Sequence, residues 1–158
     1  MFDVVVDFPK FKVGVATRDE RVVEIRYLPC SAPIVSPKNT LAEKAARQLE
    51  RYREDPDAGF DLPVRIEGSA LQRGVWDAMC AIPRGHTRTY GELARELGAD
   101  PRAIGQACGD NRLPILIPCH RVVAAGGIGG FGHATGGYLL EAKRWLLAHE
   151  APAFELKP

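Results

Sequence analysis

A cysteine followed directly by a histidine is the feature of this sequence best suited to covalent chemistry. Cys119 and His120 lie in the run PCHRVV, residues 118–123. A thiol with an ordinary pKa of about 8.5 is mostly protonated at neutral pH, so it needs a base or a positive field to become a nucleophile. The adjacent imidazole could be that base, and a carboxylate on its other nitrogen would complete a relay. A Cys-His pair alone is more often a core cysteine beside a surface histidine.

The segments on either side of this pair would fix its position. Residues 115–117 (ILI) are expected to form a buried extended run leading into the cysteine, and the glycine-rich residues 124–137 follow as a loop. This loop is not a phosphate-binding P-loop, because it lacks the closing Gly-Lys-Ser/Thr and no βαβ pattern surrounds it. A closing helix is expected over Tyr138–His149. The loop could then form a pocket wall that closes over a small group.

Upstream of the cysteine, the sequence predicts a helix-turn-helix. Residues 89–92 (TYGE) fit the S/T-x-x-E capping box of a helix that stops at Gly98, and Asp100 caps the next helix, with Pro101 at its first position. Two short helices joined by about three residues that include a glycine are typical of this motif. The second helix carries three small residues, Ala103, Gly105 and Ala107. Their size suits close approach to a ligand or helix–helix packing equally well.

The first part of the chain has a different pattern. Residues 2–28 contain three runs rich in β-branched residues separated by turn signals, which favours an antiparallel meander. A helix is expected over Thr40–Glu54 with Thr40 as its cap, and residues 55–63 (DPDAGFDLP) are a candidate linker before a helix capped by Ser69. We therefore predict an α+β fold with an N-terminal α/β domain (1–66) and a mainly helical domain (67–158).

Length and composition place few limits on function. The chain has 158 residues, 46% of them hydrophobic and 26% charged, which is typical of a globular protein able to bury a core. No apolar run reaches the roughly 18 residues that span a bilayer, and the start is not a signal peptide. Four widely spaced cysteines without a CxxC pair indicate a reducing cytoplasm. The net charge of +1 is too small to indicate DNA binding by itself.

The hexapeptide PCHRVV, preceded by PILI at residues 114–117, resembles the active-site signature of the O6-alkylguanine-DNA alkyltransferases. Other stretches resemble parts of the same family in the same order: residues 71–76 (LQRGVW), 85–94 (GHTRTYGELA), 102–105 (RAIG) and 143–150 (KRWLLAHE). The resemblance is strong over residues 69–150. Residues 1–66 are similar only in pattern to the ribonuclease-H-like N-terminal domain of the family.

This resemblance implies direct-reversal DNA repair. A methyl or larger alkyl group on O6 of guanine, with O4 of thymine open as a second target, would pass irreversibly to Cys119 in one turnover. An sp3 carbon calls for a soft nucleophile, which a thiolate provides without metal or cofactor. The partner would be duplex DNA carrying alkylated bases, with the target nucleotide flipped out of the stack. No membrane partner is implied, and the protein is expected to be a monomer.

The resemblance also assigns roles to individual residues. Glu150 would orient His120, Asn111 would brace the turn beside Cys119, and Tyr90 would act on the leaving guanine oxygen. Arg102 would fill the gap left by the flipped nucleotide, from a helix lying in the minor groove. The other DNA contacts implied are Ala103, Gly105, Arg121 and Thr89, the last through backbone and hydroxyl donors. The implied alkyl and base pocket contains Val123, Phe131, Gly132 and Cys108, the last of which could equally be a packed small residue.

The sequence departs from the family pattern at two places near the site. Arg112 follows Asn111 where the family often has proline, and the loop over residues 126–137 is a few residues longer than in many relatives. Some relatives bind a structural zinc through N-terminal Cys and His. Here Cys30 is the only cysteine before residue 80, and no histidine precedes His86, so we predict no such zinc.

Three other functions fit parts of the pattern. A non-catalytic binder of alkylated DNA would share the helix-turn-helix, but such proteins lack the cysteine that this chain keeps. A helix-turn-helix regulator would need a further regulatory domain. A cysteine hydrolase with a Cys-His-Glu relay does not explain adjacent Cys and His or the helix-turn-helix just upstream.

Overall fold

The computed structural model describes residues 1–129 and 137–151. The chain divides into two compact units, Met1–Ile66 and Glu67–Pro158. The fold is α+β, as the sequence predicts. Within the described residues, no helix is both long enough and apolar enough to cross a membrane.

The first unit is a three-stranded antiparallel sheet with one helix packed on it. The strands β1 (Val4–Phe8), β2 (Phe11–Arg18) and β3 (Arg21–Leu28) pair in sequence order, and α1 (Thr40–Glu54) follows. Apolar side chains of all three strands form the core with the apolar face of α1. The helix cap is Asn39, whose Oδ1 accepts a hydrogen bond of 2.8 Å from the Ala42 N–H. The expectation that Thr40 caps was therefore wrong by one residue.

The described part of the second unit contains four α-helices and two very short strands. They are α2 (Ala70–Cys80), β4 (Arg88–Thr89), α3 (Tyr90–Leu97), α4 (Pro101–Gly109), β5 (Val122–Val123) and α5 (Gly137–Glu150). Ser69 and Thr89 form the capping boxes of α2 and α3, and Asp100 caps α4. Gly98 ends α3 in the left-handed conformation, at φ 64°, which glycine adopts without strain. The predicted helix-turn-helix is confirmed as α3 and α4.

The pairing of β4 with β5 brings the helix-turn-helix to the reactive cysteine. The two strands are parallel, with Thr89 opposite Val123. Thr89 is the cap of α3, and Val123 lies four residues after Cys119. Since α3 begins at the residue after Thr89, this pairing places the first turn of α3 beside the segment that carries Cys119 and His120.

The segment before the cysteine is buried but not extended. Ile115 has φ 75°, a left-handed conformation that a β-branched residue adopts only under strain. The Ile117 N–H donates to the Leu113 carbonyl oxygen at 2.8 Å, which closes a turn. The predicted extended run over residues 115–117 was therefore wrong. The apolar side chains correctly indicated burial, but hydrogen bonds to the neighbouring backbone fold the segment into a turn.

Candidate active site and DNA interface

Cys119 begins a single turn of 3-10 helix, Cys119–Arg121, and is only 5% exposed. Asn111 holds the turn in front of it from both sides. Its Nδ2 donates to the Ile117 carbonyl oxygen at 2.9 Å, and its Oδ1 accepts from the Leu113 N–H at 2.9 Å. The Cys119 N–H donates to the same Ile117 carbonyl oxygen at 2.8 Å. The side chain of Asn111 therefore braces the turn that leads into Cys119.

The thiol of Cys119 is protonated at neutral pH in the isolated protein. Burial raises its pKa to about 11, while a hydrogen bond with the Asn111 side chain and the positive charge of Lys143 both lower it. Desolvation is the dominant cause, since a thiolate loses the stabilisation of water when it is buried. Any reaction at this sulfur therefore needs a group that accepts its proton.

The imidazole of His120 belongs to the residue directly after Cys119 and is buried beside a carboxylate. His120 is fully buried, and its Nε2 lies 2.9 Å from Oε1 of Glu150, which is itself 2% exposed. The two groups are within ion-pair distance but are not aligned as a straight hydrogen bond, and within the described residues Nδ1 makes no hydrogen bond. Burial lowers the pKa of His120, and Glu150 opposes this shift. The structure thus brings together the predicted Cys119, His120 and Glu150.

The guanidinium of Arg121 points into the protein, which corrects its predicted role at the DNA surface. Its Nε donates to Oε1 of Glu150 at 2.9 Å and its Nη2 donates to Oε2 at 3.0 Å. Nη1 donates to the Ile82 carbonyl oxygen at 2.7 Å, and the side chain is 15% exposed. All three donor nitrogens are therefore engaged inside the unit, so this arginine is not presented to a phosphate.

Lys143 is a member of the site that the sequence reasoning did not single out. It is fully buried on α5, and its Nζ donates to the Val122 carbonyl oxygen at 2.8 Å. The same Nζ lies 5.8 Å from the centre of the Tyr90 ring. Its position on the helix could have indicated that it is buried. Lys143 lies three residues from both Leu140 and Leu146, which places it on the apolar face of α5.

Lys143→Met should change the pH dependence of stability. Burial lowers the pKa of this ammonium from 10.5 to about 8. Between those values the unfolded chain binds more protons than the folded one, so stability rises with pH. Relative to the variant, the wild-type free energy of unfolding should rise by roughly 3 kcal/mol across this window. Urea unfolding at several pH values measures it, with Lys38→Met, at an exposed lysine, as control. A constant difference across the window would contradict it.

Tyr90 stands between the cysteine turn and the glycine-rich loop. Burial raises its pKa to about 12, with smaller contributions from Cys108 and Cys119. Gly129 has φ 75°, and a Cβ there would lie 3.1 Å from Cε2 of Tyr90 and 3.2 Å from the backbone nitrogen of Ala124. Both the conformation and the close approach require glycine at this point. The loop therefore begins packed against the tyrosine.

The remaining predicted pocket residues divide into two groups. Val123 and Cys108 are half-buried, and burial followed by the neighbouring Cys119 raises the pKa of the Cys108 thiol. Cys108 thus lies near the reactive sulfur as an un-ionised thiol. Phe131 and Gly132 lie outside the described residues. Over residues 1–129 and 137–151, no cluster of three or more His, Cys, Asp or Glu is placed to hold a metal ion.

The outer surface of α4 is flat and carries one exposed arginine at its start. Arg102 is exposed, while Ala103 and Gly105 are half-buried. A Cβ added to Gly105 would meet nothing within 4 Å, so the absence of a side chain there serves no internal packing. By contrast Ala107 is 2% exposed and its carbonyl oxygen accepts from Nε1 of Trp76 at 2.9 Å. The sequence allowed the small residues of α4 either to pack inside the protein or to leave an open surface. Ala107 packs inside, and Gly105 lies on an open surface.

Thr89 offers fewer donors to a ligand than expected. Its N–H donates to Oε1 of Glu92 at 2.7 Å, and its hydroxyl oxygen accepts from the Glu92 N–H at 3.0 Å. The backbone donor is therefore used in the capping box of the isolated protein. Only the hydroxyl hydrogen remains for a contact with a phosphate.

A helix-turn-helix held beside a buried Cys-His-Glu arrangement defines a DNA-binding protein with a reactive cysteine. Residues 70–152 match the family described as 6-O-methylguanine DNA methyltransferase, DNA binding domain. A methylated-DNA–protein-cysteine methyltransferase of Methanosarcina barkeri is 35% identical over 157 residues, which is 95% of this chain and 97% of the relative. The chain belongs to the 6-O-methylguanine DNA methyltransferase family.

Solved structures agree over nearly the whole chain. The crystal structure of Mycobacterium tuberculosis O6-methylguanine methyltransferase has a TM-score of 0.76 at 32% identity, covering 97% of this chain and 96% of that one. A second structure, of Mycobacterium tuberculosis OGT in complex with DNA, has a TM-score of 0.76 at 33% identity and covers 94% of each chain. The similarity therefore includes the N-terminal unit as well as the region matched by the family.

Proposed function

We propose that this protein repairs alkylated DNA by transferring a methyl or larger alkyl group from O6 of guanine to Sγ of its own Cys119. The observation that carries the proposal is the position of the cysteine. It is a buried thiol on a turn braced by Asn111, beside a His120–Glu150 pair, and strand pairing ties it to the start of a helix-turn-helix. O4 of alkylated thymine is a second substrate for the same chemistry.

The reaction needs two proton movements that these residues can provide. The Cys119 thiol gives its proton to His120, directly or through water, and Glu150 stabilises the imidazolium that results. The sulfur then attacks the alkyl carbon in line, so that the S–C bond forms as the bond from carbon to O6 breaks. The electron pair of the broken bond stays on the guanine, which takes up the proton that His120 received, through water. A thioether does not hydrolyse in neutral water, so the transfer is irreversible and each molecule reacts once.

Tyr90 acts on the leaving group as a hydrogen-bond donor. Negative charge develops on the guanine as the bond to O6 breaks, and a donor fixed in a partly buried site stabilises that charge. With its pKa raised to about 12, the phenol keeps its proton rather than giving it up. Its contact with Gly129 fixes the ring in place for this role.

Access to the guanine requires the nucleotide to leave the duplex. We place α4 in the minor groove, with the open surface at Ala103 and Gly105 against the sugar-phosphate walls and Arg102 filling the gap in the stack. The Thr89 hydroxyl contributes a phosphate contact. The DNA complex of the Mycobacterium tuberculosis relative supports binding by this fold. Recognition by shape suits damage that arises in any sequence.

Arg102→Ala should separate repair of duplex DNA from reaction with a free base. Loss of the side chain that replaces the flipped base should slow repair of duplex DNA roughly 10- to 100-fold, since extrusion costs a few kcal/mol. Reaction with free O6-benzylguanine needs no flipping and should stay within about twofold of wild type. Single-turnover rates on both substrates measure this, with Arg144→Ala, an exposed arginine on α5, as the control. Equal losses on both substrates would show that Arg102 supports the fold instead.

The proposal as a whole is tested by the stoichiometry of repair. Protein incubated with an excess of duplex containing O6-methylguanine should restore one guanine per molecule and then stop. A non-catalytic binder would retard the duplex in a gel and restore no guanine. A turnover enzyme would continue past one equivalent. Either result would overturn the proposal.

We also place the protein in the cytoplasm, as a monomer. All four cysteines are free thiols, and Cys119 must stay reduced to react. A reducing compartment maintains that state.

A further inference from the structure

The carboxylate of Glu150 is shared between two partners. Oε1 lies 2.9 Å from Nε2 of His120 and accepts a hydrogen bond of 2.9 Å from Nε of Arg121. Oε2 accepts a second bond of 3.0 Å from Nη2 of the same guanidinium. The arginine therefore binds both oxygens in the bidentate manner that fixes the plane of a carboxylate. The imidazole meets only one of them.

Arg121 is itself fixed from its far side. Nη1 donates to the Ile82 carbonyl oxygen at 2.7 Å, two residues after the end of α2. Arg84 contributes separately, because its Nη1 donates to the backbone carbonyl oxygen of Glu150 at 2.6 Å, where α5 ends. The end of α5 is thus tied to the segment after α2 by two arginines, Arg121 through the carboxylate of Glu150 and Arg84 through its backbone carbonyl oxygen.

The charges around His120 decide whether it is available as a base. A buried carboxylate alone beside an imidazole would draw a proton onto it, since the two together would then be neutral. With Arg121 in place, the carboxylate is already balanced, and a protonated His120 would leave the buried cluster with an excess positive charge. The Lys143 ammonium on α5 adds to this effect, and on α2 the Cys80 thiol lies within reach of the Arg121 charge. Burial itself lowers the pKa of His120 most, and Arg121 and Lys143 lower it further against Glu150.

We propose that Arg121 is a positioning residue for alkyl transfer, which holds the Glu150 carboxylate against Nε2 of His120 and balances its charge so that the imidazole stays unprotonated. The inference rests on the proposed function, since it assigns His120 as the acceptor of the Cys119 proton. Arg121 touches neither the sulfur nor the alkyl group and acts only through Glu150.

The test compares the wild type with Arg121→Met by two measurements. One is the pH dependence of the single-turnover rate on an O6-methylguanine duplex, and the other is the NMR titration of the His120 imidazole. Loss of the positive charge should move both the acid limb of the rate profile and the His120 titration to higher pH, by on the order of one pH unit. A purely structural loss would lower the rate at every pH and leave the limb in place.

Two further variants give the matched comparisons. Arg84→Met removes a second arginine whose hydrogen bond goes to the backbone carbonyl oxygen of Glu150, and its acid limb should stay at the wild-type pH. Arg121→Lys keeps the charge but cannot bind both oxygens and Ile82 together. The acid limb of the Arg121→Lys rate profile should therefore lie at the wild-type pH. Its plateau rate should be several-fold below wild type, because Glu150 is held less firmly.

Each outcome decides the inference. A folded Arg121→Met protein with the wild-type acid limb and the wild-type His120 titration would overturn it. If Arg121→Met does not fold, Arg121→Lys decides, and a plateau rate and profile equal to wild type would overturn the positioning role. If the wild type itself transfers no alkyl group, the proposed function fails, while the His120 titration still tests the effect of Arg121.

Discussion

Replacing Cys119 with alanine should abolish alkyl transfer while the protein still binds duplex DNA. The sulfur is the acceptor, and as a buried atom it contributes nothing to the surface that meets the DNA. Cys119→Ser should fail similarly, because a hydroxyl is a far weaker nucleophile than a thiol toward an sp3 carbon. Transfer of a labelled methyl group from the duplex measures the first effect, and a gel-shift titration measures the second.

Cys108 provides the control for this prediction. The charge of Cys119 would act on it, and burial raises the pKa of its thiol above the ordinary range. Cys108→Ala should therefore keep transfer at nearly the wild-type extent. If Cys119→Ala retained transfer at a rate near wild type, Cys108 would be the acceptor, and the assignment of the reactive cysteine would be wrong.

Glu150→Gln should both destabilise the protein and slow the transfer. The amide cannot neutralise the Arg121 guanidinium, which is only 15% exposed, and breaking a buried ion pair on one side costs about 3–5 kcal/mol. The resemblance gives Glu150 one partner, His120, and with that partner alone we would expect slower transfer from an intact fold. The two bonds from Arg121 change that expectation. Urea unfolding measures the loss of stability.

The effect of the same change on rate has a definite sign. Without the carboxylate, the imidazolium that pairs with the thiolate is less stable, so the apparent pKa of Cys119 should rise and transfer should slow. Removal of a negative charge also favours the thiolate by itself. The first effect should dominate, because Glu150 contacts His120. Rates are compared at a temperature where the variant is folded. Glu150→Asp keeps the charge, so it should lose less stability and less of the transfer rate than Glu150→Gln. An unchanged rate and pH profile would make Glu150 a purely structural acid.

The helix boundaries of the second unit could be predicted because their signals are local. Ser69, Thr89 and Asp100 each cap the helix that immediately follows, and Gly98 ends α3 through its own backbone conformation. Such signals depend on residues within one turn of one another. The helix-turn-helix was therefore predictable to within a residue.

The partners of the buried charges were not predictable, because packing of distant segments determines them. Arg121 meets Glu150 and Ile82, which are 29 and 39 residues away in the chain. Nothing near Arg121 in the sequence distinguishes an arginine facing DNA from one facing inward. Lys143 was overlooked for a related reason, since lysines are almost never fully buried without a partner, and its partner is a backbone carbonyl 21 residues away.

The small residues of α4 show where geometry decides between two readings. Sequence alone allowed either internal packing or an open surface. The space beside Gly105 is empty, whereas Ala107 packs below Trp76. At Ile115 the sequence signal was misleading. Its β-branched side chain favours a strand, whereas its backbone adopts the left-handed conformation of a turn. The Asn111 amide donates to the Ile117 carbonyl oxygen and the Ile117 N–H donates to the Leu113 carbonyl oxygen, and these bonds that close the turn form only in the folded site.

The account depends most on Cys119 as the final holder of the alkyl group. The protein is mixed with duplex DNA containing O6-methylguanine, digested, and analysed by mass spectrometry with fragmentation of the peptide that contains Cys119. We expect this peptide to gain the mass of one CH2, since a methyl group replaces the thiol hydrogen, with the fragment ions placing it on the sulfur. An unmodified Cys119 after the guanine has been restored, or the added mass on another residue, would contradict the account.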